Sequence, residues 1–210
     1  MESLLRGFSA GFIEPGPSGL MSKGKIEILP TGRNFFSLDP SAVPTEAAWM
    51  VGRRLADSLL EKYEKEQGRL PENVGMFWMA GDVMYADGEQ MSQMFHLIGV
   101  MPVWKGGKLK GYEVIPLEEL GRPRIDLTVR VSGITRDCFY NRIEIMDQAI
   151  CEVAALDEPQ DMNFLHKHDL ENGSHHRIFA SRPGTYGNGV NLAVYASAWK
   201  ADKDLSDVFI

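Results

Sequence analysis

Between Ile125 and Val153 the spacing of apolar residues changes from every second position to every third or fourth. Ile125, Leu127, Val129 and Val131 alternate with Asp126, Thr128, Arg130 and Ser132, the period of a strand with one apolar face. Phe139, Ile143, Met146, Ile150 and Val153 then mark one stripe of a helix, which Pro159 keeps from running on. A strand leading into an amphipathic helix buries both apolar surfaces best when the helix lies on the sheet.

The same switch occurs earlier. Thr45 can cap a helix in which Glu46 suits the positive end and Ala48, Gly52, Leu55, Leu59 and Tyr63 share a face, before Gly68 closes it. Val74 to Met79, between Pro71 and Gly81, reads as a short buried strand, and Met91, Met94, Phe95 and Ile98 mark a helix after a loop. Val100 to Trp104 and Tyr112 to Ile115 flank Lys105-Gly106-Gly107-Lys108, which predicts a hairpin. The expected fold is α/β: a mainly parallel sheet with flanking helices in Rossmann-like layers, the hairpin excepted.

Pro15-Gly16-Pro17-Ser18-Gly19, Pro30, Thr31-Gly32, Pro40 and Pro44 forbid a long regular element in residues 1–45, which read as a lead-in. Residues 46–158 form the α/β domain. Residues 159–210 are polar and glycine-rich apart from a helical stretch near Val190 to Trp199, and read as part of a domain completed by other sequence.

A chain of 210 residues, 44% hydrophobic and 24% charged, can bury a sizeable core. Its formal net charge of -7 argues against a non-specific nucleic-acid binder, which needs a basic surface. Cys138 and Cys151 fall in what reads as one helix and form no CxxC pair, so neither a disulfide framework nor a zinc site is indicated. No apolar run reaches the length of a membrane span and Met1 to Arg6 lacks the pattern of a secretory signal, so the expected location is the cytoplasm.

Several residue groups invite a chemical reading. Gly19 to Lys25 has the spacing of a phosphate loop, but Ile26 stands where Ser or Thr would hold magnesium, and Pro17 and Pro30 spoil the strand-to-helix context. Gly184, Gly187 and Gly189 follow no strand and give no dinucleotide fingerprint. His166, His168, His175 and His176 either converge on a divalent metal or sit on a solvated loop with Lys167, Asp169 and Glu171. His96, beside Phe95, reads as a packed or partly exposed structural residue. Asp82, Asp87 and Glu89 lie after the first strand, where open α/β sheets bind ligands, although Glu89 also suits the positive end of its helix. Arg122, Arg124, Arg136 and Asp137 flank the ends of the fourth strand; the arginines either grip ligand carboxylates or pair internally, Arg136 with Asp137 or Asp126.

Leu29-Pro30-Thr31-Gly32-Arg33-Asn34-Phe35, followed by Asp39-Pro40 and Val43-Pro44-Thr45, resembles the large subunit of the cobalt and magnesium chelatases. The likeness continues through Tyr112 to Asp126, Ser132-Gly133, Arg136-Asp137, Leu156 to Pro159, Met162 to Phe164 and Arg177 to Phe179. Pro15 to Gly19 looks more like the cobalt branch. The family tends to carry Trp-Gly-Thr where this chain has Trp78-Met79-Ala80-Gly81, and Gly88-Glu89 resumes the pattern. Lys167-His168 fits a family pair; His166, His175 and His176 do not. Members are several times longer, so the resemblance implies an interior segment of a larger polypeptide.

That resemblance implies a subunit holding a tetrapyrrole and the incoming cobalt, or alternatively magnesium, while AAA+ ATPase and adaptor subunits use the ATP. Metal insertion must strip water from the ion and protons from the ring nitrogens, which calls for a carboxylate or neutral imidazole beside the ring. Glu89 is the first candidate for catalysis and metal contact, His168 the second. Arg33, Asn34, Arg122, Arg136 and Asp137 are the expected substrate-binding residues. A non-catalytic scaffold within the subunit, and a free-standing small-ligand sensor, are the competing readings.

Overall fold

The computed structural model describes residues 2–17, 19, 26–30, 38–183 and 190–209. The chain separates into two compact units, Met1–Ser41 and Ala42–Ile210. Among the described residues the first carries α1 (Glu2–Phe8) and a 3-10 turn at Ile26–Ile28. Asp39 Oδ1 there accepts the main-chain N–H and hydroxyl of Ser41, at 2.9 and 2.7 Å. No described helix is long and apolar enough to cross a membrane.

The second unit opens with α2 (Glu46–Gln67), where Thr45 accepts the N–H of Ala48 at 3.2 Å and Gly68 closes the last turn. The elements β1 (Asn73–Trp78), α3 (Ala80–Tyr85) and α4 (Glu89–Ile98) follow, then the strands β2 (Val100–Lys105) and β3 (Lys108–Val114) and the short α5 (Leu117–Leu120). After them come β4 (Asp126–Val131), α6 (Gly133–Cys138), α7 (Tyr140–Ala154), α8 (Phe164–Asn172), β5 (Ile178–Phe179), α9 (Val190–Tyr195) and α10 (Asp202–Phe209). β1, β4 and β5 form a parallel sheet in that order, in register from Asn73 opposite Asp126 to Trp78 opposite Val131. The expected hairpin is there as a separate antiparallel pair, β2 with β3. The fold is the mixed α/β arrangement that the alternating periods call for.

Side-chain alternation decides which face of the sheet is covered. Met76 and Trp78 lie beside Leu127, Val129 and Val131, all buried, and Met91, Met94, Phe95 and Ile98 of α4 with Met146, Ile150 and Val153 of α7 complete that core. Each such side chain stabilises the fold by about 1.5–3 kcal/mol through removal from water. On the opposite face Phe77, Arg130 and Phe179 stand in register, with Phe77 55% and Phe179 45% exposed.

Three expectations change. The buried stripe of α2 is Ala48, Trp49, Gly52, Ala56 and Leu60, not the Leu55, Leu59 and Tyr63 stripe, and Leu55 is exposed. The rotation follows from Gly52, where α2 meets the first turn of α4: a Cβ there would lie 2.4 Å from Ser92 Cβ and 2.6 Å from the carbonyl oxygen of Glu89. Gly52→Ala is therefore expected to lower stability by about 1–3 kcal/mol, read as a fall in denaturant midpoint; an unchanged midpoint would contradict the close crossing.

Secondly, the single helix expected around Cys138 and Cys151 is two. Phe139, at φ -127°, leaves helical geometry between α6 and α7, so the cysteines stand on different helices, both exposed. Thirdly, the polar stretch after Gln160 contains α8 and β5. Apolar residues do not fall on one stripe of α8, so periodicity misses it. Asn163 caps it by accepting the N–H of His166 at 3.0 Å, and Leu165 anchors it. β5 is two residues long and exists through pairing with β4, the N–H of Val129 reaching the carbonyl of Arg177 at 2.7 Å. α3 likewise occupies what reads as a loop after β1.

Candidate functional site at the strand ends

The carboxyl ends of β1 and β4 are tied together by one carbonyl. Trp78 O accepts the N–H of Ser132 and the hydroxyl of Thr135, both at 3.2 Å, and Ser132 caps α6 through the N–H of Thr135 at 3.1 Å. The alternation of β4 takes in Ser132 as a strand position; its cap of α6 and the joining of the two strands are seen only in the fold.

The connection from Met79 to Gly88, α3 included, then returns the chain to the start of α4, where Glu89 is the first residue, half-buried. Gly88 has φ +89°, and a Cβ on it would lie 2.7 Å from Val43 Cγ1 and 2.9 Å from Pro44 Cα. Both facts require glycine there. Val43, fully buried, gives its carbonyl to Arg142 at 2.7 Å, Pro44 gives its own to the Trp104 indole at 2.7 Å, and Thr45 N–H reaches Asp87 O at 3.1 Å. The Val43-Pro44-Thr45 motif thus braces the loop that presents Glu89.

Asp82 closes the loop from within. Its carboxylate receives the Trp78 indole N–H at 2.9 Å and the main-chain N–H groups of Gln90 and Met91 at 2.7 and 3.1 Å. Burial pushes its carboxyl above the usual range, against the three hydrogen bonds that pull it down.

Arg136 and Asp137 lie at this same end, but they serve each other. The Arg136 guanidinium makes a two-point bond to Asp137, at 2.7 and 2.8 Å, and holds the carbonyls of Ser181 and Arg182. This is the internal pairing that the sequence left open beside ligand binding. The bond from Arg136 holds the Asp137 carboxyl below its usual range.

His168 and Arg122 stand at the other end of the sheet. His168 Nδ1 lies 2.7 Å from Asp126, the first residue of β4, and its Nε2 is 3.6 Å from Glu72. β1 has six residues, so the strand separates the two ends by roughly 17 Å. Glu89 and His168 therefore do not face one ion. Arg122 holds the carbonyls of His96 and Leu97 at the end of α4, and burial lowers its pKa to about 10. It lines a groove of about 360 Å³ with Trp49, Arg53, Asp57 and His96. Of the packed and partly exposed positions open to His96, the fold gives the packed one, with its Nε2 3.0 Å from Asp57. Arg33 and Asn34, with residues 20–25 of the phosphate-loop spacing and the glycine-rich stretch at 184–189, lie outside the described residues.

The other histidines do not converge either. His166 Nδ1 is 2.9 Å from Ala154 O, and His175 pairs with Asp169. Among the described residues no group of three or more His, Cys, Asp or Glu is placed to hold a metal. What sequence reading missed here is Arg177, which bonds both Asp126 and Asp169 and so fixes the start of β4 against α8.

A family model described as CobN/Magnesium Chelatase matches residues 1–210. An uncharacterised protein of Methanocaldococcus jannaschii is 60% identical over 99% of the chain, which covers 18% of that protein. The magnesium-chelatase subunit ChlH, chloroplastic, of Oryza sativa subsp. indica is 37% identical over 99% of the chain and 16% of its own length. Among solved structures, the catalytic subunit of cobaltochelatase from Mycobacterium tuberculosis superposes with a TM-score of 0.80 at 40% identity, over 99% of this chain and 19% of that one. The chain spans less than a fifth of the length of each of these proteins.

Proposed function

The chain belongs to the CobN/magnesium chelatase family, and from that premise we propose that it handles the tetrapyrrole in the large subunit of a multi-subunit, ATP-dependent chelatase. Insertion replaces ring N–H protons, two on a porphyrin and one on a corrin, by a divalent ion, so a base must stand beside the ring while the ion sheds its water. One observation carries the assignment of that base to Glu89: it opens α4 at the carboxyl ends of the parallel strands, directly after a connection braced from both sides. Ligands of open α/β sheets bind at that end. Met79 and Ile134, exposed beside the two strand ends, offer the apolar contact a flat macrocycle needs.

The finer reading is cobalt insertion into a corrin of the hydrogenobyrinic acid a,c-diamide type, in cobalamin biosynthesis, with ATP used by AAA+ and adaptor partners in the cytoplasm. Likeness to the cobaltochelatase catalytic subunit supports it. Magnesium insertion into protoporphyrin is the alternative, supported by likeness to ChlH. The scaffold reading also has an observation in its favour: Arg124 and Arg136 of the family signatures are occupied inside the fold.

Titration with a metal-free corrinoid and, separately, with protoporphyrin tests the proposal through tryptophan fluorescence. Trp78 lies at the strand ends, hydrogen-bonded to Asp82. Saturable quenching is expected with one of the two; a response to neither favours the scaffold.

A further inference from the structure

We propose that Asp82 is the positioning residue for Glu89, an inference that rests on the assignment of Glu89 as proton acceptor. The first N–H groups of any helix lack partners inside the helix, and a capping side chain ordinarily supplies them. The residue in the cap position of α4 is Gly88, which has no side chain to offer. Asp82, from the preceding helix α3, does that work at a distance: its carboxylate takes the N–H groups of Gln90 and Met91, the two residues that follow Glu89.

The same residue reaches further. Its second contact is the Trp78 indole at the end of β1, and its main-chain carbonyl accepts the N–H groups of Ala86 and Gly88, at 3.1 and 3.0 Å. One residue therefore joins the strand end, the turn before α4 and the first turn of α4. Holding Gln90 and Met91 fixes the rotation of that turn about the helix axis, and hence the direction in which the Glu89 side chain leaves it. Asp82 is only 9% exposed, and it keeps a carboxylate in surroundings that penalise charge. Three N–H donors converging on two oxygens account for that choice of residue. An amide would turn an N–H of its own toward at least one donor.

Asp82→Asn, Glu89→Gln and the double variant, each in the assembled chelatase, give the test, with hydrogen exchange followed at the Gln90 and Met91 amides. Asp82→Asn is expected to speed exchange at those amides by about tenfold, the loss of one charge-assisted hydrogen bond. Misaiming the base is expected to lower kcat by roughly tenfold to a hundredfold at unchanged KM for the tetrapyrrole. The double variant should be no slower than Glu89→Gln alone. Unchanged exchange at Gln90 and Met91, or losses that multiply in the double variant, would overturn the inference. Normal insertion by Glu89→Gln beside quickened exchange in Asp82→Asn would instead remove the assignment of Glu89 and leave only the capping of α4. Should Asp82→Asn fail to fold, Trp78→Phe removes one donor from the same carboxylate; a change in Gln90 and Met91 exchange is the supporting result, and none overturns.

Discussion

Glu89→Gln is expected to slow metal insertion by the assembled chelatase about a hundredfold to ten-thousandfold, with the tetrapyrrole still bound. Glutamine keeps the size and reach of the side chain and loses the ability to take a proton from a ring nitrogen. The competing view of Glu89, as a carboxylate that complements the positive end of α4, predicts something else: a stability loss of about 0.3–1 kcal/mol and ordinary turnover. Steady-state insertion rates, together with a denaturant titration of the same variant, separate the two. Near-normal turnover would sink the catalytic assignment. A fall in activity matched by an equal fall in tetrapyrrole affinity would point to a binding contact instead.

The largest expected loss of stability lies at Arg124. Its side chain is fully buried, yet every face of the guanidinium is used. It makes a two-point bond to Glu158 at 2.8 and 2.9 Å and holds the carbonyls of Ile98, Gly99 and Ile115. It thus joins the end of α4, the end of the hairpin and the α7–α8 connection. Arg124→Ala leaves a carboxylate and three carbonyls without their cation, which costs about 3–5 kcal/mol in comparable buried pairs. In a domain of this size that is a fall of about 10 °C in Tm. Arg124→Met combined with Glu158→Leu should recover part of the loss, because no charge is then stranded. A single-variant loss below about 1 kcal/mol would show that the pair contributes little net stability.

Much of this fold is legible because hydrophobic period is a local property. α2, β1, α4, β4, most of α7 and the hairpin all follow from spacing and turn residues. What spacing does not carry is rotation and reach. Gly52 turned α2 by its lack of a Cβ, a constraint imposed by α4 and invisible in the α2 stripe itself. α8 and β5 owe their order to Asn163, Leu165 and the neighbouring β4, so nothing periodic announces them. The candidate site is legible in the same measure. Asp82, Asp87 and Glu89 could be placed at a strand end, but the bond from Asp82 to residues eight and nine positions later depends on how the loop closes. Likewise, the spacing of the arginines left anion gripping and internal pairing both open. Arg124 satisfies carbonyls and one internal carboxylate, a choice made by partners between nine and 34 residues away in sequence.

α4 is held at its two ends by charges of opposite sign. A carboxylate, Asp82, grips the first turn, while the guanidinium groups of Arg122 and Arg124 grip the last carbonyls. Each sign opposes the partial charge at that end of a helix. Sliding this helix along its own length, or unwinding a turn at either end, would break the hydrogen bonds of one anchor. On the function proposed above, a stroke that brings metal and macrocycle together would be made by other parts, with Glu89 as the fixed point against which they move.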